Sequence, residues 1–355
     1  MSAWNIKKSR SGMRVHAVIR RKAVQTAVAR PRGSEPEGGF VLIAVLAALT
    51  LLAMVAVLLT RTVSLETKIT AYNARQAREE ALADGLARLA MLHLVINPPT
   101  AAKSGLFRVD GIPVMCRVGD HVASISFLDS DGQINLNLAS ADLLQRLLEG
   151  VGAGDNATTL AQAIVEFRSS GEASAAGGDK SAAYQLAGLA HGPKNGPFAS
   201  VRELDQVLGM TPALLSDISP LMTVHSRFAT INPSVAGYGV LAALSGEGKA
   251  DATDASPKGL DALRASLSLP AAYTYIAKTR SVTSFTSNAY VVRVAVGDGR
   301  TTRFVRQATV MLVGGTATGT SLKDWNALDP GHHSTRVAAD AELPPCLGGA
   351  LWLEP

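Results

Sequence analysis

The chain has 355 residues, enough for two or three domains of ordinary size, with few aromatics and many glycines. Its formal charge of +5 belongs to the N-terminus: residues 1–39 hold nine basic and two acidic residues, and the other 25 basic and 27 acidic residues leave the body slightly negative. That balance excludes the broadly basic surface with which a globular body grips nucleic acid. The two cysteines, Cys116 and Cys346, fit no zinc spacing. In an oxidising compartment they are able to pair across a long loop; two unpaired thiols are the other reading.

From Gly38 to Thr60 no residue is charged, and Phe40–Leu59 reads FVLIAVLAALTLLAMVAVLL. Twenty such residues as a helix span about 30 Å, the thickness of a bilayer core. The preceding basic residues, including Arg20, Arg21, Lys22, Arg30 and Arg32, keep residues 1–39 in the cytoplasm and send the remainder across. The stretch is too long for the apolar region of an ordinary signal peptide. A signal anchor and a leader cut before the apolar stretch are the two readings left.

The helix is expected to continue past the membrane, because residues 61–96 contain no proline and one glycine, Gly85. Leu65, Ile69 and Tyr72, then Leu82, Leu86 and Leu89, recur at spacings of three and four and form one apolar stripe. Pro98-Pro99 is the expected stop. Short strand-like runs follow (106–109, 112–118 and 122–128), separated by Asp110-Gly111 and Gly119-Asp120. A clearer hairpin lies at 289–296 and 301–313 around Gly297-Asp298-Gly299, with Tyr290, Val292, Val294 and Val296 alternating. The fold class is therefore α+β, a long helix laid on a small antiparallel sheet.

Between the strand groups, residues 129–250 read as helical. An internal echo is present: Ile134-Asn135-Leu136-Asn137-Leu138-Ala139-Ser140 against Ile231-Asn232-Pro233-Ser234-Val235-Ala236-Gly237. Each Asn/Ser-rich turn opens a helix, and Ser140 is the expected N-cap of the first. A third unit runs from Phe198 to Val224, and residues 169–197 read as a flexible loop rich in Gly, Ser and Ala. The expected organisation is a leader at 1–39, a transmembrane helix at 40–60 and its continuation at 61–97. A first β region at 98–128, an inserted helical domain at 129–250, a second β region at 251–315 and a tail at 316–355 follow.

The junction Glu37-Gly38-Gly39-Phe40-Val41-Leu42-Ile43 resembles the prepilin-type signature. The resemblance implies cleavage by prepilin peptidase between Gly39 and Phe40, and N-methylation of Phe40. Most such proteins carry Glu at the fifth mature position, where this chain has Ala44. The type II secretion system protein K family typically lacks that glutamate, and the words INLNLAS, FASVREL, LGMTPALL and INPSVA resemble its inserted helical domain. Together with the leader, the resemblance spans roughly residues 38–315. It implies a minor pseudopilin at the pseudopilus tip, anchored in the bacterial inner membrane with a periplasmic head, and not an enzyme. Implied partners are the other minor pseudopilins, the major pseudopilin, secreted substrates and the outer-membrane secretin. A buried glutamate is costly in a bilayer unless partnered, and at the tip no subunit above supplies the N-terminal amine that would pair with it.

The rival reading is a membrane-anchored helix-hairpin-helix-like DNA-binding protein, since INLNLAS followed by Gly150-Val151-Gly152 resembles that module. Residues 129–245 hold six basic against eleven acidic residues, however, which makes nucleic acid a poor partner. Seven scattered histidines form no HExxH, and no GxSxG or P-loop is present. No cofactor is required by the reading. Asp129-Ser130-Asp131-Gly132 places oxygens at alternating positions, and relatives of protein K bind calcium in the head, so Asp129 and Asp131 are candidate calcium ligands. An acidic turn at a domain junction is the alternative, because no glutamate stands at the twelfth position of an EF-hand loop begun at Asp129.

Overall fold

The computed structural model describes residues 38–96, 108–171, 177–246, 256–274, 288–313, 319–332 and 342–347. It divides into two compact units, Met1–Thr67 and Lys68–Pro355. Helix α1 is continuous over Gly38–Ile96. The Pro98-Pro99 stop and residues 1–37 of the leader lie outside the described residues. In the first unit, Gly39–Leu59 is long and apolar enough to cross a membrane, and none of it is buried by protein.

In the second unit, Ala83, Leu86, Ala87, Ala90 and Leu94 of α1 are buried against a five-stranded antiparallel sheet. Leu82 and Leu89 of the expected stripe flank this face. The alanines between them, which the stripe did not include, let the helix lie close to the strands. The strands are β1 (Val114–Val118), β2 (His121–Asp129), β5 (Ala289–Gly297), β6 (Thr302–Val313) and β7 (Gly319–Leu328), in the order β1-β2-β5-β6-β7. Gly119 takes a left-handed φ of 55° in the β1–β2 turn, as that hairpin requires. Phe127, Tyr290, Val292, Val294 and Val296 complete the core under α1.

Arg306 is nearly buried in the seam between α1 and the sheet. It reaches Asp84 at 2.5 Å and Glu80 at 2.8 Å on the helix, and its guanidinium lies over the rings of Phe304 and Trp325. Arg88 lies over the same Trp325. The polar contacts fix the helix axially on a seam that apolar packing alone leaves free to slide.

The helical lobe is inserted between two strands that are hydrogen-bonded neighbours. β2 ends and β5 begins side by side, with Asp129 opposite Tyr290. The lobe has its own core, formed by α2 (Ala141–Gly150), α3 (Ala157–Arg168), α6 (Tyr238–Ser245) and shorter pieces. It also includes α7 (Pro257–Ser266), whose Leu260 and Leu263 are buried in that core. The lobe thus runs past residue 250, and Ile231 N–H still meets Tyr273 O at 2.9 Å. Gly150 marks its tightest contact: a Cβ there would fall 1.9 Å from the Ala243 carbonyl oxygen, so α2 and α6 touch backbone to backbone.

Two stretches differ from the sequence reading. Residues 169–197 contain helix α4 (Lys180–Leu186), capped by Asp179, whose side chain accepts from Ser181 N–H. Its short length hides any periodicity. The expected tail supplies β7, whose mixed polar face carries no clear alternation, and a strap at Pro344–Cys346. Arg117 of β1 exchanges backbone hydrogen bonds with this strap, to Pro344 O at 2.8 Å and from Cys346 N–H at 2.7 Å.

Cys116 and Cys346 are disulfide-bonded, 230 residues apart, and both are fully buried. Of the two readings open from sequence, pairing is the one found. So long a loop removes much entropy from the unfolded chain. Replacing both cysteines with serine is expected to cost roughly 2–5 kcal/mol of stability, checked by denaturant unfolding of oxidised parent and variant; equal midpoints would show that the strap holds without the bond.

Candidate functional site

Two regions hold the candidate residues. The first is α1. Its apolar segment begins at Gly39, which is exposed and has open space around its Cα. Phe40 and Ala44 follow on the same exposed helix. Beyond the membrane-length stretch, every residue from Lys68 to Arg78 is exposed, including Ile69 and Tyr72 of the lower stripe. The upper stripe is spent on the protein's own sheet, and the lower one is left for other contacts.

The second region is the junction where the lobe leaves the sheet. Asp129 Oδ1 accepts from Asp131 N–H at 2.8 Å and caps the single turn Ser130–Gly132. Asp131 Oδ1 accepts from Ser226 Oγ at 2.9 Å, and Asp131 O accepts from Asn232 N–H at 2.8 Å. Gly132 is required here, since a Cβ would lie 2.5 Å from Val235 O. The acidic turn therefore holds both echo segments at the doorway of the lobe.

The echo has a physical cause. Asn135 Oδ1 accepts from the N–H groups of Asn137 and Leu138, and Asn232 Oδ1 accepts from Ser234 N–H. Both asparagines bend the chain by replacing a backbone acceptor, the reason this residue type favours turns. Asn137 does more: it donates to Phe198 O at 2.9 Å and accepts from Phe198 N–H at 2.7 Å. One side-chain amide thus ties INLNLAS to FASVREL as a strand would. Ser140 caps α2 as expected, accepting from Leu143 N–H.

Asp129 and Asp131, the candidate calcium ligands, lie together and are almost fully buried. Calcium takes six to eight oxygens. Among the described residues no group of three or more acidic, His or Cys side chains gathers to supply them. One oxygen of each aspartate is already spent on a protein donor. Asp131 Oδ2, Ser130 Oγ and Gln133 Oε1 beside them are buried without a hydrogen-bond partner. Burial pushes the Asp131 carboxyl above its ordinary value, against the opposing pull of Ser226 and Arg227.

The helix-hairpin-helix resemblance is geometrically real, since α2 turns into α3 through Gly152 and Gly154, both at positive φ. Three cations of the lobe are turned onto its own main chain, however, while Arg202 and Arg227 are exposed. Arg146 donates to Leu244 O and Ser245 O, Arg168 to Leu136 O and Ala139 O, and Lys180 to Glu166 O and Ser169 O. Lys194 pairs with Glu203 at 2.7 Å. Such arginines and lysines close helix ends and turns and leave little charge for a phosphate backbone.

Residues 123–227 match the family model described as Type II secretion system (T2SS), protein K. This stretch is similar to the protein K domain of that family. It begins in β2, spans the doorway and covers the lobe from Asn135 through Ser226. The resemblance read from INLNLAS and FASVREL is borne out there. Among solved structures the chain is similar to one in the crystal structure of the GspK-GspI-GspJ complex from the enterotoxigenic Escherichia coli Type 2 Secretion System. The identity is 16% and the TM-score 0.46, covering 74% of this chain and 99% of that one. No curated protein matches the sequence.

With its folded-state affinity for a proton raised, Asp131 makes the lobe less stable as pH climbs from the ordinary carboxylate value near 3.9 through the elevated one. Asp131→Asn is expected to flatten that decline and to leave stability at neutral pH equal or higher, with calcium leaving the midpoint of both proteins unchanged. Thermal melts across pH, with and without the metal, check this; a calcium-dependent rise lost in the variant would instead make the pair metal ligands.

Proposed function

We propose that this chain is a minor pseudopilin of a type II secretion system, held in the bacterial inner membrane by α1 with the sheet and lobe in the periplasm. One observation carries the reading: a protein K domain is inserted into a sheet packed on the same helix whose N-terminal 21 residues are membrane-length and apolar. The Gly39-Phe40 junction at the head of that helix supports removal of the leader on the cytoplasmic side, with Phe40 as the methylated N-terminus. The disulfide supports an oxidising compartment for the head.

The work of the subunit is assembly. The exposed lower stripe of α1, with Ile69 and Tyr72, faces neighbouring pilin-like helices, and subunits of the GspI and GspJ kind are the proposed neighbours. Ala44 leaves no buried carboxylate in need of the N-terminal amine of a subunit above it, which suits a subunit with nothing above it at the filament tip. There the bulk of the lobe admits neighbours on one side and presents the head to secreted substrates and the secretin. The role calls for no cofactor and no catalysis. The acidic balance of residues 129–245 and the use of Arg146, Arg168 and Lys180 on the lobe's own carbonyls argue against the DNA-binding alternative.

Gly39→Asp is expected to abolish processing, leaving a protein longer by the leader, whereas the parent yields an N-terminal peptide starting at methylated Phe40. Mass spectrometry of protein from native membranes distinguishes these. Processing that persists in the variant, or a parent that keeps its first residues, would refute the leader assignment.

A further inference from the structure

Lys180 is only 4% exposed, yet no carboxylate among the described residues pairs with it. Its ammonium donates to three neutral oxygens: Glu166 O and Ser169 O at 3.0 Å each, and Asn195 Oδ1 at 3.4 Å. A buried cation is costly unless an opposite charge accompanies it. Its side-chain partner, Asn195, is the single non-glycine residue at positive φ among the described residues, at 54°. Asn195 is held in place by its own N–H, which donates to Phe167 O at 2.9 Å. The next residue is Gly196, and this is the chain's one Asn-Gly pair. The Gly196 N–H has no hydrogen-bond partner among the described residues, and a Cβ at Gly196 would meet Lys194 O only at an ordinary contact distance of 3.9 Å.

We propose that Asn195 is a self-modification site, where the side-chain amide is converted to a carboxylate that becomes the counter-charge of Lys180. Gly196 N attacks Asn195 Cγ; the new N–Cγ bond closes a five-membered imide as the Cγ–Nδ2 bond breaks. The amide proton passes through water to the departing nitrogen, which leaves as ammonia. A solvent water then adds to either ring carbonyl and opens the ring, giving aspartate or isoaspartate, with no change in oxidation state.

Three features of the site favour the sequence. Glycine leaves the attacking nitrogen unshielded by a Cβ. Lys180 Nζ, already directed at Oδ1, stabilises the negative charge that develops on that oxygen when the carbon becomes tetrahedral. The product exchanges a neutral partner of a buried ammonium for an anionic one, which gives the fold a reason to retain it. Lys180 is thus a positioning residue for the conversion and its beneficiary afterwards. The site joins the end of α3 to the segment leading to Phe198, which Asn137 holds on its other side.

The test is peptide mapping by mass spectrometry of the purified full-length chain during incubation at mildly alkaline pH, folded and in urea. The peptide containing Asn195 is expected to gain the mass of an amide-to-acid exchange before those containing Asn135, Asn137 or Asn232, and faster in the folded chain than in urea. G196A is expected to lose most of the conversion, and K180M to lose the advantage of the folded state, with K180R retaining part of it should K180M fail to fold. An unchanged peptide, equal conversion in G196A, or a rate in urea matching that of the folded chain would overturn the proposal. A cross-linked peptide joining Lys180 to Asn195, with ammonia lost and no water gained, would overturn it in favour of direct attack by the lysine.

Discussion

The architecture depends on one doorway. Asp129 and Tyr290 face each other across β2 and β5, and the whole helical lobe leaves after the first and returns before the second. An insertion of that size is compatible with an undisturbed sheet because its two ends meet as paired neighbours, so the ladder closes beneath it. The turn Ser130–Gly132 then sets the direction of exit, with Asp129 capping it and Asp131 reaching across to Ser226 and Asn232. A side chain at position 132 would strike Val235 O, so the approach of the returning chain is fixed at backbone distance.

The two cores divide the work. Under α1 the core is built from strand alternation and from alanines on one helix face, and Arg306 locks its seam. In the lobe, short helices are held by side chains that imitate backbone: Asn135 and Asn232 in turns, Asn137 as a one-residue strand, and Arg146, Arg168 and Lys180 on exposed carbonyls. Short helices bring proportionally more unsatisfied ends, which is why so many of the lobe's polar residues look inward. The same economy makes a nucleic-acid role a poor fit for a fold that has the outline of a DNA-binding hairpin.

Much of this was legible in the sequence because periodicity speaks loudly for long elements. The membrane-length run, the α1 stripe and the 289–313 hairpin each repeat a signal over many residues, and INLNLAS carried both the Ser140 cap and the asparagine turn. What stayed hidden lacks a local pattern. Helix α4 has seven residues and announces itself only through Asp179. β7 pairs with β6 as the next strand in the chain, but its mixed polar face shows no alternation to announce it. The meeting of Cys116 with Cys346 depends on the strap reaching the edge of β1, which spacing alone does not reveal. Asp129 and Asp131 lie together and buried, and the Ser226 hydroxyl that engages Asp131 comes from a distant residue that no run of neighbours indicates.

The disulfide has a mechanical consequence. A subunit drawn along its helix takes load through α1 into the sheet, where Cys116 sits in the edge strand. The covalent link passes that load straight to Cys346, bypassing all the residues between them. The stretch similar to protein K, inserted within the bypassed span, is then carried along without being stretched, and its asparagine turns bear no part of that load.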